Sequence, residues 1–397
     1  MFLTTPSPGV LRAAGARAWL PIRGGAPPQP RWLSTTNMSA AAGHIISFNR
    51  SSTPELTQLL DTYRQMVILP TYLSVEQRRQ IYKPKLQHIL KNDPVTMEID
   101  GVVHKFRYRS LVADVPSTRT TANQAIAMMT TPGDFKNIPP LLEGFVRAGR
   151  KLSSEFYGKI IRKLAMNDCL HIVVNCIKGV DRTGFKLNRS DLINALLVYM
   201  QRPAITSGWN EFKTKTALKD VRLILNILES DKDHAPKAAQ AGAFPYYRDP
   251  QVLAARLHMA AARAVHHRGG KDEDGTVAKY AEELVTLWPE NKGLLDLQPD
   301  DAYKKDGNMR YLLHRDAYLF YAAPVLNGLT LAAQVVDPGL AMQLQNRADM
   351  VDAEVSTALA APERTRGGRG EAMYNALFNP QAAQVEQQEA AEVEEAA

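Results

Sequence analysis

Ten lysines and arginines crowd the stretch from Gly144 to Ser190: Arg147, Arg150, Lys151, Lys159, Arg162, Lys163, Lys178, Arg182, Lys186 and Arg189. Only Glu155, Asp168 and Asp181 oppose them, a local net of +7 that equals the formal charge of the whole 397-residue chain. Cations concentrated in this way are the footprint of contact with phosphate, whose affinity is set by counterion release. The remaining chemically able side chains point to no reaction. Cys169 and Cys176 are seven apart, so they share one face of a predicted helix and read as core thiols. Two cysteines supply neither a disulfide framework nor a four-thiolate zinc site. His266-His267 closes a predicted helix, where cations favour the dipole. Asp300-Asp301 and Glu282-Glu283 read as exposed charges at helix ends. The sequence holds no phosphate-binding glycine loop, Gly-x-Ser-x-Gly elbow or His-Glu-x-x-His pair. No catalytic residue, metal or cofactor is therefore expected.

The elements that carry these cations are helical. Apolar spacing predicts helices over Glu55–Met66, Val75–Lys91, Ala122–Met129, Pro140–Ala148, Ser154–Met166, Cys169–Lys178, Arg189–Met200, Thr216–Leu228, Pro250–His266, Thr276–Trp288, Arg310–Ala323 and Leu340–Ala360. Ser74-Val75-Glu76-Gln77 reads as a capping box, and Asp249-Pro250 as a cap followed by proline at the first helical position. One segment breaks the period. Val95–Ile99 and Val102–Phe106 alternate around Asp100-Gly101, a hairpin signal that pairs Ile99 with Val102, Met97 with His104 and Val95 with Phe106. The fold expected is all-α, a helix-hairpin array with one small β-hairpin insertion over residues 95–108.

The ends differ in composition. No acid precedes Glu55, whereas Arg12, Arg17, Arg23, Arg31 and Arg50 do. An arginine-rich, acid-free leader predicts import into the mitochondrial matrix, with cleavage after Leu33. Arginines interrupt every apolar run long enough for the competing secretory signal. Twenty uncharged residues, Ala317–Val336, have the length of a membrane span. Pro324, Asn327 and Gly328 at their centre read better as the corner of a buried helix pair, so a membrane is not expected as a partner. The organisation expected is a presequence (1–33), a flexible mature N-terminus (34–54), a helical region with the hairpin (55–135), basic helical repeats (136–232), a C-terminal helical region (233–362), and a flexible basic linker with an acidic tail (363–397).

The repeat is read at an offset of 35 residues. There Arg147/Arg182, Gly149/Gly184, Lys151/Lys186 and Leu152/Leu187 are identical. These two units, with their glycine loop followed by Phe156-Tyr157 through Ile160-Ile161 and by Leu192 through Leu196, resemble the pentatricopeptide repeat of organellar proteins. The resemblance spans residues 138–202, with leucine where that family usually has proline; other helical arrays remain open for residues 250–290. It implies RNA binding, with Lys159 and Asn194 at the family's base-reading position. Asn194 has the usual residue type there and Lys159 does not, so backbone contact is the expected mode. The RNA-binding residues expected are Arg147, Arg150, Lys151, Lys159, Arg162, Lys163, Arg182, Lys186, Arg189 and Asn194. A leader, few degenerate repeats, a hairpin and charged tails together resemble fungal mitochondrial ribosomal proteins of the small subunit. The partners implied are ribosomal RNA and neighbouring ribosomal proteins. A mitochondrial messenger bound by a translational activator or RNA-processing factor is the nearest alternative. A protein scaffold or assembly factor for a respiratory complex is the alternative of another class.

Overall fold

The computed structural model describes residues 36–37, 45–99, 101–234, 244–304, 307–361 and 368–381. The expected leader, its cleavage point and the Gln384–Ala397 tail lie outside them. The hairpin forms in the expected register, β2 (Val95–Ile99) against β3 (Val102–Phe106), with Val95 opposite Phe106 and Ile99 opposite Val102. A short β1 (Thr36–Asn37) pairs in parallel with β2. Met97, Ile99 and Phe106 bury one face of the hairpin, and Glu98 and Lys105 turn outward.

The N-terminal region holds α1 (Pro54–Tyr63), α2 (Val75–Ile81), α3 (Gln87–Asn92), α4 (Thr118–Met128), α5 (Pro132–Phe135) and α6 (Ile138–Arg147). The Ser74 capping box is present. The single helix expected over Val75–Lys91 is instead broken, because Pro84 pushes Lys83 into an extended conformation, φ −88° and ψ 115°. Residues 49–52, expected as part of a loose N-terminus, are fastened. The Asn137 Oδ1 accepts from the Asn49 amide at 2.7 Å, and the buried Asp134 carboxylate accepts from the Ser52 amide and hydroxyl, both at 2.7 Å. Burial pushes the Asp134 carboxyl up, but the hydrogen bonds from Ser52 and Thr131 outweigh it and hold the group well below the usual carboxylate range.

From there the chain is a stack of helix hairpins: α7 (Ser154–Met166) with α8 (Leu170–Lys178), a one-turn α9 (Val180–Thr183), α10 (Ser190–Thr206) with α11 (Glu211–Ser230), α12 (Pro250–His267) with α13 (Thr276–Leu287), and α14 (Arg315–Ala333) with α15 (Pro338–Ala360). The first members α7, α10, α12 and α14 pack side by side in that order, and α11 also packs on α12, and α13 on α15. No hairpin buries both of its faces alone, so neighbours share one continuous core. Asp249 caps α12 as expected, with Pro250 at its first position.

Two helices run through prolines at which the apolar pattern was expected to stop or turn. α10 continues past Met200 through Pro203, and α14 passes unbroken through Pro324 where a corner was expected. Each proline removes one helical hydrogen bond, yet both helices are enclosed by neighbours whose packing outweighs that loss. Gly328 lets α14 approach α12 so closely that an added Cβ would lie 2.6 Å from that of His258. Among the described residues no helix is long and apolar enough to cross a membrane. A last helix, α16 (Arg369–Phe378), packs on α14 and α10. Arg369, expected in a flexible basic linker, instead donates to the Tyr199 hydroxyl at 3.2 Å and stands over the Phe320 ring.

Gly149 and Gly184, matched at the repeat offset, both adopt left-handed backbone, φ +67° and +66°. Each ends a helix. The Gly149 and Arg150 amides donate to the Val146 and Phe145 carbonyls, and the Gly184 amide donates to the Val180 carbonyl. Their surroundings differ: a Cβ at Gly149 meets nothing within 4 Å, whereas one at Gly184 would lie 2.8 Å from Val146 Cγ2. Alanine at Gly149 is therefore expected to cost about 1 kcal/mol, the left-handed penalty alone. At Gly184 the cost should be about 2 kcal/mol, because the stiff valine must also move. Urea-denaturation midpoints of the two variants would show equal losses if this reading of the packing were wrong.

Candidate nucleic-acid interface

The cations of residues 144–190 do not form one surface. Arg182, on α9, pairs with Glu143 at 3.3 Å, Lys186 with Asp233 at 2.8 Å, and Arg189 with Asp191 at 2.9 Å. These three pairs are exposed to different degrees and spend part of their charge internally. Arg147 lies over the Tyr72 ring, 3.8 Å from its centroid, and donates to Thr71 Oγ1 at 3.2 Å. That stacking fixes the guanidinium and leaves it at the surface. Asn194 stands apart from these cations. It is buried in α10, where its amide donates to the Ser190 carbonyl and hydroxyl and to the Tyr311 hydroxyl, at 3.0–3.1 Å. The side chain is committed to core groups on two elements, which leaves it no open face toward solvent. The covering residue Tyr311 is more than a hundred positions away, so local sequence gave no sign of it.

The others converge better. Lys151, in the loop before α7, and Lys159, in its second turn, line a cleft of about 450 Å³ with Arg119 and Asn123 of α4. Lys159 Nζ donates to Asn123 Oδ1 at 3.0 Å. At the cleft's edge Arg150 donates to Thr118 Oγ1 at 2.8 Å, which ties the loop to the start of α4. Glu155 is the one acid in the lining, against three cations. Arg162 and Lys163 continue the basic face along α7: Lys159, Arg162 and Lys163 stand three and four residues apart and share one side of the helix. Lys151, Lys159 and Arg162 are exposed and Lys163 half-buried. Arg119 was missed by reading charge density alone, because it sits outside the basic run. Its signal was the Arg119/Asn123 spacing, which places both on one helical face.

The thiols are core groups. Cys169 and Cys176 are both buried, and burial, reinforced by the charge of Glu143, pushes the Cys176 thiol up to about 12. His266 stacks on Trp209 with ring centroids 5.0 Å apart. Among the described residues no three His, Cys, Asp or Glu side chains gather where they could hold a metal ion.

A stack of helix hairpins with a solvent-facing cationic cleft defines the class as a helical-repeat scaffold. Comparison with known proteins supplies the family. The model of the mitochondrial ribosomal protein mS27 family matches residues 31–376, and the chain belongs to that family. It is 40% identical over 359 residues to the small ribosomal subunit protein mS27 of Neurospora crassa, an alignment covering 86% of this chain and 91% of that one. The family is one of ribosomal proteins, and its place is the mitochondrion.

Proposed function

We propose that the protein is a structural component of the small subunit of the mitochondrial ribosome, in the matrix, and that it grips the ribosomal RNA backbone in the cleft between α4 and α7. The observation that carries the RNA contact is the convergence of Arg119, Lys151 and Lys159 on one open cleft, extended along α7 by Arg162 and Lys163. Such groups bind phosphate without reading sequence. The burial of Asn194 removes the base-reading contact that a messenger-specific factor would need. Neighbouring ribosomal proteins have an apolar surface to meet: Val102, Val103, Leu111 and Val112, on and after the hairpin, are each more than half exposed. The role is architectural and needs no cofactor.

Sedimentation of tagged protein from gently lysed mitochondria tests the assignment. The protein should comigrate with the small subunit at moderate salt and follow it when magnesium is chelated and the subunits part. A light, RNase-insensitive species, or migration with membrane complexes, would overturn it.

A further inference from the structure

A second cationic cleft lies in the C-terminal half, built from α11, α12 and α13. Arg222 of α11 and Arg256 of α12 both stand over the ring of Tyr280 on α13, their guanidinium carbons 5.5 and 4.5 Å from its centroid. With Asn226, Thr276 and Lys279 they line an opening of about 470 Å³. Asp274 is the acid in that lining, and it is already engaged, accepting from Arg268 at 2.9 Å and from the Thr276 amide at 3.3 Å. Arg256 also pairs with Glu283. The cleft therefore retains the charges of Arg222 and Lys279.

Two features make this more than a solvated basic face. The Nε of Arg222 and the Nε of Arg256 are buried and have no acceptor among the described residues. A desolvated donor left unmatched is costly, and two such donors beside one ring repel each other as well. Stacking on Tyr280 holds both guanidinium planes in place, so their outward N–H groups are presented without further loss of side-chain freedom. The end of α13 contributes little, since Asp274 and Asp272 already accept from its Thr276 and Ala278 amides.

We infer that the cleft of Arg222, Arg256, Lys279 and Tyr280 is a second nucleic-acid-backbone site that takes a phosphodiester of RNA. Guanidinium forks match phosphate oxygens bidentately, and Lys279 adds an exposed point charge. Both guanidiniums crowd the Tyr280 ring, which leaves it poorly placed to stack on a base, so the contact is to backbone and is indifferent to sequence. The inference rests on the ribosomal reading for its choice of RNA, but on different helices and different residues from the α4–α7 cleft.

Full-length protein is titrated with a labelled short RNA duplex of arbitrary sequence across a range of salt, alongside two variants. Arg222→Gln with Lys279→Gln should weaken binding about tenfold or more near ~0.1 M salt and make the log–log salt dependence shallower by roughly 1 to 2. The effect should be independent of RNA sequence and should add to that of the Arg119, Lys151 and Lys159 to Gln variant. If only the latter variant weakens binding, this inference falls and the α4–α7 reading stands. If neither does, both fall. A loss confined to inorganic phosphate or to a glutamate-rich peptide, with RNA binding intact, would likewise overturn the assignment. Should Arg222→Gln lower the melting temperature, Lys279→Gln alone carries the test, with an expected salt-slope change of about 1.

Discussion

Replacing Arg347 by methionine should destabilise the protein by about 3 kcal/mol, more than any surface substitution in the basic segment. Arg347 stands in the middle of α15 and is 2% exposed. Its Nε and Nη2 donate to the Trp288 carbonyl at 2.9 and 2.6 Å, Nη2 reaches the Val285 carbonyl at 3.2 Å, and Nη1 donates to the Gln343 carbonyl at 2.7 Å. Two of these acceptors end α13, where helical carbonyls lack intrahelical partners and the dipole favours a cation. One side chain thus closes α13 and pins it to α15. Methionine fills much of the volume but leaves the Trp288 and Val285 carbonyls without their donor, so the loss is polar rather than a cavity. Trp288, fully buried and donating to the Lys292 carbonyl at 2.8 Å, would lose its fixed position as well. The urea midpoint should fall clearly for Arg347→Met and less for Arg347→Lys, which keeps a charge but not the planar fork. A shift within about 0.5 kcal/mol of wild type would mean that water or relaxation satisfies these carbonyls.

The second large effect concerns RNA. Converting Arg119, Lys151 and Lys159 together to glutamine should weaken binding to a fragment of small-subunit ribosomal RNA about a hundredfold near ~0.1 M salt, and flatten the salt dependence by roughly 2 to 3. Fold stability should be nearly unchanged, because Lys151 and Lys159 are exposed and the hydrogen bond from Lys159 to Asn123 is at the surface. Glutamine keeps the side-chain length and polarity, which isolates charge as the cause. The opposite outcome is expected for Arg182 and Lys186, whose charges are already matched by Glu143 and Asp233. Their glutamine variants should move RNA affinity only slightly. Equal losses from both sets would show that binding follows total charge rather than the cleft.

What the residues revealed in advance, and what they did not, divides along physical lines. Local rules were legible. Asp100-Gly101 between alternating runs set the hairpin register, Ser74 and Gln77 the capping box, and Asp249-Pro250 the start of α12. The repeat glycines matched because both must adopt positive φ at the end of a helix, a demand visible in residue type. Long-range facts were not legible. Asn194 has the residue type of a base reader, but Tyr311 arrives from a distant segment to cover it. Pro203 and Pro324 carry stop signals that tertiary packing overrides. α16 has little apolar pattern of its own and is held by Arg369 and by the Asp316 carboxylate, which accepts from the Gly370 amide at 2.7 Å. Charge density found half of the α4–α7 cleft and missed Arg119, because the other wall belongs to a helix outside the basic run. The same limitation hid Arg222, Arg256 and Lys279, which are scattered over three helices and meet only around Tyr280.

Ultraviolet cross-linking of purified mitochondrial small subunits, followed by mass spectrometry of the linked peptides, tests the RNA contact most directly. Peptides spanning α4 and the first turns of α7, residues 118–163, should carry ribosomal RNA nucleotides, and the yield should collapse in the Arg119, Lys151 and Lys159 variant while the protein remains in the particle. Cross-links absent from this segment, or unchanged in the variant, would show that another surface holds the RNA and would contradict the assignment of the cleft.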